Sequence, residues 1–122
     1  MKVWREFGSS HSGNVTVVGQ FDSDEKAKAA FPVIEDFVKG AWEGRYENVQ
    51  GFISAWKARD PNMSYHGLTE DDFQIGVDDA PDVDQAGSKV VVANLRSENV
   101  SGIVKLLFGH GMKEIQITGH GA

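Results

Sequence analysis

The hydrophobic pattern of the first third of the chain predicts two strands and a helix. β-Prone residues over 2–8 and alternating apolar and polar residues over 14–21 enclose a small, polar turn, and this pattern predicts a β-hairpin. Asp22 then provides a cap for a helix over 23–43, where apolar residues recur at helical spacing. Pro32 lies inside this helix and lacks a backbone N–H, so we expect a kink or a second helix start there.

The middle of the chain has a weaker pattern. The stretch 49–56 has a poor helical stripe and β-prone residues, and it predicts a strand. Residues 57–87 predict an irregular, acidic excursion with at most one helical turn, which Thr69 can cap with Asp72 at its third position. An irregular stretch of this length is unusual in a compact domain, so it indicates either a functional or a mobile segment.

The last third has the clearest pattern. A valine-rich run at 89–95 predicts a buried strand, 98–109 a helix with an apolar face, and 113–118 an alternating strand. This β-α-β unit follows an earlier one formed by the strand 14–21, the helix and the strand 49–56. Two such units predict an α+β fold, a ferredoxin-like two-layer sandwich with an extra N-terminal hairpin strand, in a single domain over 1–122.

Composition excludes several classes of protein. The 122 residues are 40% hydrophobic, which is enough for a core, and include no cysteine. Disulfide scaffolds, thiolate metal sites and cysteine nucleophiles are therefore excluded. The absence of a long apolar run or a signal-like segment predicts a cytoplasmic protein without membrane contact. A net charge of −6 argues against nucleic-acid binding.

Seven of the 18 acidic residues lie in the segment 70–84, which contains no lysine or arginine. The rest of the chain has 11 acidic and 12 basic residues and is therefore about neutral. The segment is interpreted either as a solvated loop that maintains solubility or as a docking surface for a basic partner. The candidate partner-binding residues are Glu70, Asp71, Asp72, Asp78, Asp79, Asp82 and Asp84.

Part of this segment also resembles a calcium-binding loop. Residues 82–87 match such a loop at its first, third and sixth positions. Ala86 and Ala93 stand at the fifth and twelfth positions, where oxygen ligands are required. The sequence therefore predicts no metal site and no cofactor.

Two regions could bind a small ligand. The serines beside His11 could orient its imidazole as a base or donate to an anion. His66 could line a pocket with Trp56 and Tyr65, although aromatic packing also explains these neighbours. The possible ligand-binding residues are Ser9, Ser10, His11 and His66.

The other two histidines lie in Gly-His-Gly sequences on either side of the strand 113–118. His110 and His120 would then be roughly 20 Å apart, too far to share a metal ion. The chain also has no phosphate loop, no nucleophile elbow and no His-Glu-x-x-His motif. An enzyme with a strong short signature is therefore not expected.

The N-terminal loop carries a resemblance to a known group of proteins. An aromatic residue followed by Gly8-Ser9-Ser10-His11-Ser12, and then by the apolar run 15–21, resembles the start of a family of short uncharacterised bacterial α+β domains. The likeness covers about the first 25 residues. It implies a bacterial α+β domain and draws attention to the His11 loop, but it implies no activity.

Two functions fit these observations. The first is a non-enzymatic acidic binding module that docks a basic protein, as immunity proteins and inhibitors do. The alternative is a small dimeric ferredoxin-like enzyme or ligand-binding protein that uses the His11 loop and the pocket of His66, Trp56 and Tyr65. A homodimer is a possible assembly, and the alternative function requires one.

Overall fold

The computed structural model describes residues 15–119 except 62, 66 and 75–80, and leaves out the side chain of Trp42. This part of the chain forms four strands, three α-helices and two short 3₁₀ turns. In chain order they are β1 (Val15–Gln20), α1 (Asp24–Glu43), α2 (Val49–Arg59), a 3₁₀ turn (Asp71–Phe73), β2 (Asp82–Ala86), β3 (Lys89–Leu95), a second 3₁₀ turn (Ser97–Asn99), α3 (Val100–Gly109) and β4 (Glu114–Gly119). None of these helices is long and apolar enough to cross a lipid bilayer.

The four strands form one antiparallel sheet in the order β2-β3-β1-β4. The mixed α+β class is confirmed. The strand at 89–95, the following helix and the last strand are also confirmed within one or two residues. Because β1 lies between β3 and β4, the second β-α-β unit is split by a strand from elsewhere in the chain.

The two faces of the sheet differ in their surroundings. Along β1, buried and half-buried residues alternate strictly, as they do along most of β3. The buried face packs on the helices, and its largest fully buried neighbours include Ile34, Phe37 and Phe52. No described helix covers the alternate residues. The sheet thus has one core face and one open face.

Helix α1 shows how local chemistry sets the ends of an element. Ser23 is the N-cap, since its hydroxyl accepts from the backbone N–H of Lys26, and Gly44 ends the helix at φ 70°. The prediction of Asp22 as the cap is wrong by one residue, and its carboxylate lies 3.3 Å from the ammonium of Lys26. The helix continues through Pro32 without a second start.

The predicted strand at 49–56 is wrong, because these residues form helix α2. The Asn48 side chain accepts from Gly51 N–H at 2.9 Å, which caps the first turn. Val49, Phe52 and Trp56 then fall on one buried helical face. Phe52 and Ile53 are β-prone and favour a strand, but the cap at Asn48 and the burial of one helical face stabilise the helix instead.

The prediction of an irregular segment over 57–87 is wrong in part. Its first three residues complete α2, and 82–86 form the edge strand β2. The single helical turn is confirmed: Thr69 Oγ1 accepts from Asp72 N–H at 3.3 Å, and Asp72 Oδ2 accepts from Thr69 N–H at 2.9 Å. This reciprocal pair is a capping box.

The predicted N-terminal hairpin involves residues 2–8, which lie outside the described residues. Strand β1 itself pairs with β3 on one side and with β4 on the other, so described strands occupy both of its hydrogen-bonding edges.

Candidate functional site

One face of the sheet is left uncovered by the described helices. The helix-facing residues of each strand alternate with residues that point the other way. We call this second set the open face: Thr16, Val18 and Gln20 on β1; Asp82, Asp84 and Ala86 on β2; Lys89, Val91 and Ala93 on β3; and Glu114, Gln116 and Thr118 on β4.

Strand register arranges the open face in rows across the sheet. In the central row, Asp84 lies opposite Val91, Val91 opposite Val18, and Val18 opposite Gln116. Neighbouring strands are about 4.8 Å apart, so this row spans roughly 14 Å. Its centre is apolar and half-buried, while both ends are polar and exposed.

Acidic groups predominate on this face. Asp82 and Asp84 are exposed on the edge strand β2, and Glu114 is exposed on the opposite edge strand. Lys89 is the one basic residue among the twelve of the open face. The face therefore has a net charge of −2, with carboxylates at both edges of an apolar centre.

A shallow cleft of about 120 Å³ lies at one end of the open face. Lys89, Gln20 and Glu114 lie side by side on β3, β1 and β4, and they line the cleft together with Val18. Both amide and charged groups line it, but the cleft is too small for more than a side chain or a few water molecules.

The remaining acidic candidates lie in different places. Asp71 is exposed in the 3₁₀ turn. Glu70 accepts at its Oε1 from the N–H of Val49 at 2.9 Å, so it satisfies the start of α2. Asp78 and Asp79 lie outside the described residues.

Asp72 is buried rather than presented to a partner. Its side chain is 7% exposed, and the ammonium of Lys105 donates to its Oδ2 at 2.7 Å. Burial alone would raise the pKa of this carboxyl, but hydrogen bonds from Lys105 and from the N–H of Thr69 bring it below its ordinary value. Asp72 thus fastens the 3₁₀ turn to α3.

The calcium-loop interpretation is not compatible with the structure. Asp82 and Asp84 lie on the extended strand β2, and residues 87 and 88 form the tight turn to β3. A helix–loop–helix calcium site needs its ligands on a curved loop that surrounds the ion. These two carboxylates instead point from the flat surface of a sheet.

The proposed pocket of aromatic residues is only partly assembled. Tyr65 lines a cavity of about 370 Å³ together with Ile53, Lys57, Pro61, Met63 and Ser64. Trp56 is not among the lining residues, and its indole N–H donates to Asp36 Oδ2 at 2.7 Å. His66 and the loop residues Ser9, Ser10 and His11 lie outside the described residues.

Asp36 organises a second polar cluster that the sequence did not reveal. Besides Trp56, its carboxylate accepts from the hydroxyl of Tyr46 at 2.5 Å and from the guanidinium of Arg45. Burial and the bond to Asp36 raise the pKa of Tyr46. The cluster joins α1, the following loop and α2, and each donor in it already has an acceptor, so it is a structural network.

His110 is a residue of the core. It is 6% exposed, and its ring meets the edge of Tyr65 with centroids 5.9 Å apart. Burial lowers the pKa of this imidazole, so the neutral form is favoured. No sequence signal marks its burial, since the flanking glycines predict only a turn. His120 lies outside the described residues.

Comparison with known proteins gives one match. The model of a family of unknown function, DUF6375, matches residues 1–120, nearly the whole chain. Searches of curated proteins and of solved structures gave no match. The expectation of an uncharacterised family is confirmed, and the chain belongs to the family of unknown function DUF6375.

Proposed function

We propose that this protein is a non-enzymatic binding module that docks a basic protein on the open face of its sheet. The observation that carries the proposal is the charge pattern of this face, with Asp82, Asp84 and Glu114 around an apolar centre and one compensating lysine. The partner is then a protein that presents lysine or arginine side chains around a small apolar surface.

Within the same proposal, the fold is assigned to the ferredoxin-like class. Read from its other edge, the strand order is β4-β1-β3-β2, and the helices lie on one side of the sheet. The element order is β-α-α-β-β-α-β, which is the split β-α-β pattern with α2 added. In such a two-layer arrangement the second face of the sheet is free for binding.

The energetics favour a charged rim with an apolar centre. Removing the half-buried Val18 and Val91 from water contributes about 25 cal/mol for each Å² of apolar surface that the partner covers. The carboxylates add less to affinity, because exposed ion pairs are worth about 0–1 kcal/mol each. Their main effect is to speed encounter with a positively charged surface and to exclude acidic partners.

The test compares two variants with equal changes of charge. Asp82→Asn/Asp84→Asn removes two carboxylates from the open face. The matched control, Asp71→Asn/Glu47→Gln, removes two exposed carboxylates that lie off the sheet. Each protein captures partners from the host lysate at low salt, and the affinity of any purified partner is then measured by calorimetry at several salt concentrations.

The proposal predicts a basic partner whose affinity falls as salt increases. The open-face variant is expected to bind it about tenfold more weakly, which is 1.4 kcal/mol, and the control within about twofold of wild type. Equal affinity of all three proteins would overturn the proposal. So would a stable dimer of this chain in which the open faces are buried against each other.

A further inference from the structure

We propose that the basic partner docks by adding an extended segment of the pattern Lys/Arg-x-Lys/Arg to the outer edge of β2. This inference rests on the proposed function and specifies how the partner binds, since its segment becomes a further strand of the sheet. The basic side chains of the partner then lie beside Asp82 and Asp84 on the open face.

Strand β2 has one edge with which no described strand pairs. It lies at the end of the sheet order, and β3 is its one neighbour among the described strands. The outer edge of such a strand presents backbone N–H and C=O groups to which a further strand can add. The edge of β2 therefore has the hydrogen-bonding groups that bind an extended chain.

The strand register shows which backbone groups of β2 point outward. Residues 87 and 88 form a two-residue turn, so the flanking Ala86 and Lys89 are a hydrogen-bonded pair. Hydrogen-bonded and non-hydrogen-bonded pairs alternate along antiparallel strands, so every second residue of β2 directs its backbone groups away from β3. These outward groups belong to Val83 and Gln85.

The same register brings two side chains of an added strand close to two carboxylates. Asp82 and Asp84 lie two positions apart, and both are exposed on the open face. In an antiparallel addition they stand in non-hydrogen-bonded pairs, in which the opposed side chains come closest. Opposite charges in such pairs stabilise the pairing of strands, and like charges destabilise it. The segment that complements β2 therefore has basic residues at alternate positions.

Asp84 makes this edge selective for a basic segment. Its Oδ1 accepts from the backbone N–H of Gln85 at 2.9 Å, and this N–H is one of the groups that point outward. Charged side chains on an edge strand oppose the addition of other strands, and here a neutral strand must also displace the carboxylate. A lysine or arginine opposite Asp84 gives the carboxylate a new partner, so the N–H of Gln85 can donate to the added strand.

The helix-facing side of β2 favours an apolar residue between the two basic ones. Val83 is half-buried and packs against the core. The residue of an added strand that lies opposite Val83 points to the same side of the sheet. An apolar side chain at that position extends the apolar contact of Val83.

Charge favours this occupant over the alternatives. Strand β4, at the other end of the sheet, begins with one acid, Glu114, directly after Lys113, so its charge does not favour a basic segment. A second copy of this chain paired through β2 would bring two further aspartates to the same edge, where like charges oppose association. A basic segment is the occupant that matches both the backbone groups and the charge of β2.

The experiment titrates the full ¹⁵N-labelled chain with the acetylated and amidated peptide Thr-Lys-Val-Lys-Thr at low salt. The matched ligand is the same peptide with an N-methyl group on its valine, which keeps both charges and removes the N–H that would donate to the carbonyl of Val83. Asp84→Asn removes the selective carboxylate, and Asp71→Asn, which is exposed off the sheet, is the matched control variant. NMR measures the dissociation constant and the exchange rates of the backbone amide protons of Val83 and Gln85.

The unmodified peptide is expected to bind with a dissociation constant of about 1 mM or lower and to slow the exchange of both amide protons by about tenfold or more. The N-methylated peptide and the Asp84→Asn variant are each expected to give binding weaker by about tenfold or more, and Asp71→Asn binding within about twofold of wild type.

Equal affinity for the two peptides would overturn the inference, because it would show that charge alone holds the peptide. Absence of binding, or equal affinity of wild type and Asp84→Asn, would also overturn it. So would slow exchange without peptide that depends on protein concentration, since a second copy would then occupy the edge. The proposed function is tested separately by the affinity of the captured partner for Asp82→Asn/Asp84→Asn. The peptide comparison uses the wild-type protein, so it decides even where Asp84→Asn does not fold.

Discussion

Asp72 concentrates several interactions in one carboxylate. It belongs to the capping box with Thr69, receives the ammonium of Lys105, and packs so closely on α3 that a Cβ on Gly102 would lie 2.9 Å from its own Cβ. Its Oδ2 accepts both from the N–H of Thr69 in the local turn and from Lys105, 33 residues away in sequence on α3. Asp72 therefore stabilises the fold and is not part of the exposed acidic surface.

Asp72→Asn is expected to lower the free energy of unfolding at pH 7 by about 2 kcal/mol. The amide keeps one acceptor oxygen but loses the ion pair with Lys105, whose own side chain is 33% exposed, so solvent screens part of the loss. Urea unfolding measures the change. The neighbouring exposed Asp71→Asn is the control, with an expected change within about 0.5 kcal/mol.

The pH dependence of the Asp72 contribution follows from the direction of its pKa shift. The folded pKa lies below the ordinary value of 3.8, so the stabilisation is complete above that value and is lost as the pH falls through the folded pKa. The stabilities of wild type and Asp72→Asn should therefore converge progressively as the pH falls below 3.8 and through the folded pKa. A difference that stays constant as the pH is lowered through this range would contradict the assignment.

The titration of His110 also lowers stability as the pH falls, but over a higher pH range than that of Asp72. Its folded pKa lies below the ordinary value of 6.5, because burial penalises the imidazolium, while Asp60 opposes the shift. The unfolded chain then binds the proton first, and stability falls as the pH decreases below about 6.5. His110→Phe should flatten this part of the stability curve relative to wild type, as measured by urea unfolding between pH 5 and pH 8. Parallel curves would show that the other histidines cause the dependence.

At the scale of elements, a β-bulge shapes the centre of the sheet. Val15 pairs with Leu95 and Val17 with Val92, so two residues of β3 oppose one residue of β1. Asn94 occupies this bulge at φ 65°, the one positive value among the described non-glycine residues. Asparagine tolerates the left-handed region better than most residues. The bulge thus keeps Leu95 in the core and Ala93 on the open face.

Substitution at Asn94 tests this role. Asn94→Val is expected to cost about 1–2 kcal/mol, because a β-branched residue is strained at positive φ. Asn94→Gly should be neutral or slightly stabilising, since glycine adopts this conformation without strain. The midpoint of thermal unfolding distinguishes the two. Similar losses for both variants would indicate that the asparagine side chain, rather than the backbone, is required.

Elements with local signals could be predicted from the sequence, and elements set by distant contacts could not. Thr69 and Asp72, which form the capping box, lie three positions apart, and this spacing is visible in the sequence. Helix α2 depends on Glu70, 21 residues further along, which accepts from its first N–H. Strand β2 has few apolar residues, because it is an edge strand and presents acids on one side. Its pattern therefore resembles that of a loop.

The acidic composition of the candidate site is evident from the sequence, but the positions of its carboxylates in the fold are not. The cluster of aspartates was evident, yet the sequence did not show that Asp72 points into the core while Asp82 and Asp84 share a sheet face. Glu114 belongs to the same face through β4, 30 residues after Asp84, and only the strand order brings them onto one surface. This placement depends on the strand order of the sheet, which cannot be read from the spacing of residues along the chain.

At the scale of the whole molecule, the net charge of −6 and the open face affect self-association together. Two copies placed face to face would cover their apolar centres, but each face carries a net charge of −2. Like charges brought together in this way oppose association, and salt weakens the opposition. The carboxylates of the open face therefore disfavour a homodimer, and the same charge attracts the basic partner that we propose.

Neutralising these carboxylates should allow two copies of the chain to associate. Asp82→Asn/Asp84→Asn/Glu114→Gln is expected to shift sedimentation at low salt from monomer toward dimer, because the net charge of each face changes from −2 to +1 and the repulsion around Val18 and Val91 becomes weaker. Wild type should show the same trend only at high salt, where charges are screened. The control Asp71→Asn/Glu47→Gln changes the net charge nearly as much off the sheet and should remain monomeric. A wild-type dimer at low salt, or association of the control as strong as that of the open-face variant, would show that the carboxylates of this face do not govern its contacts.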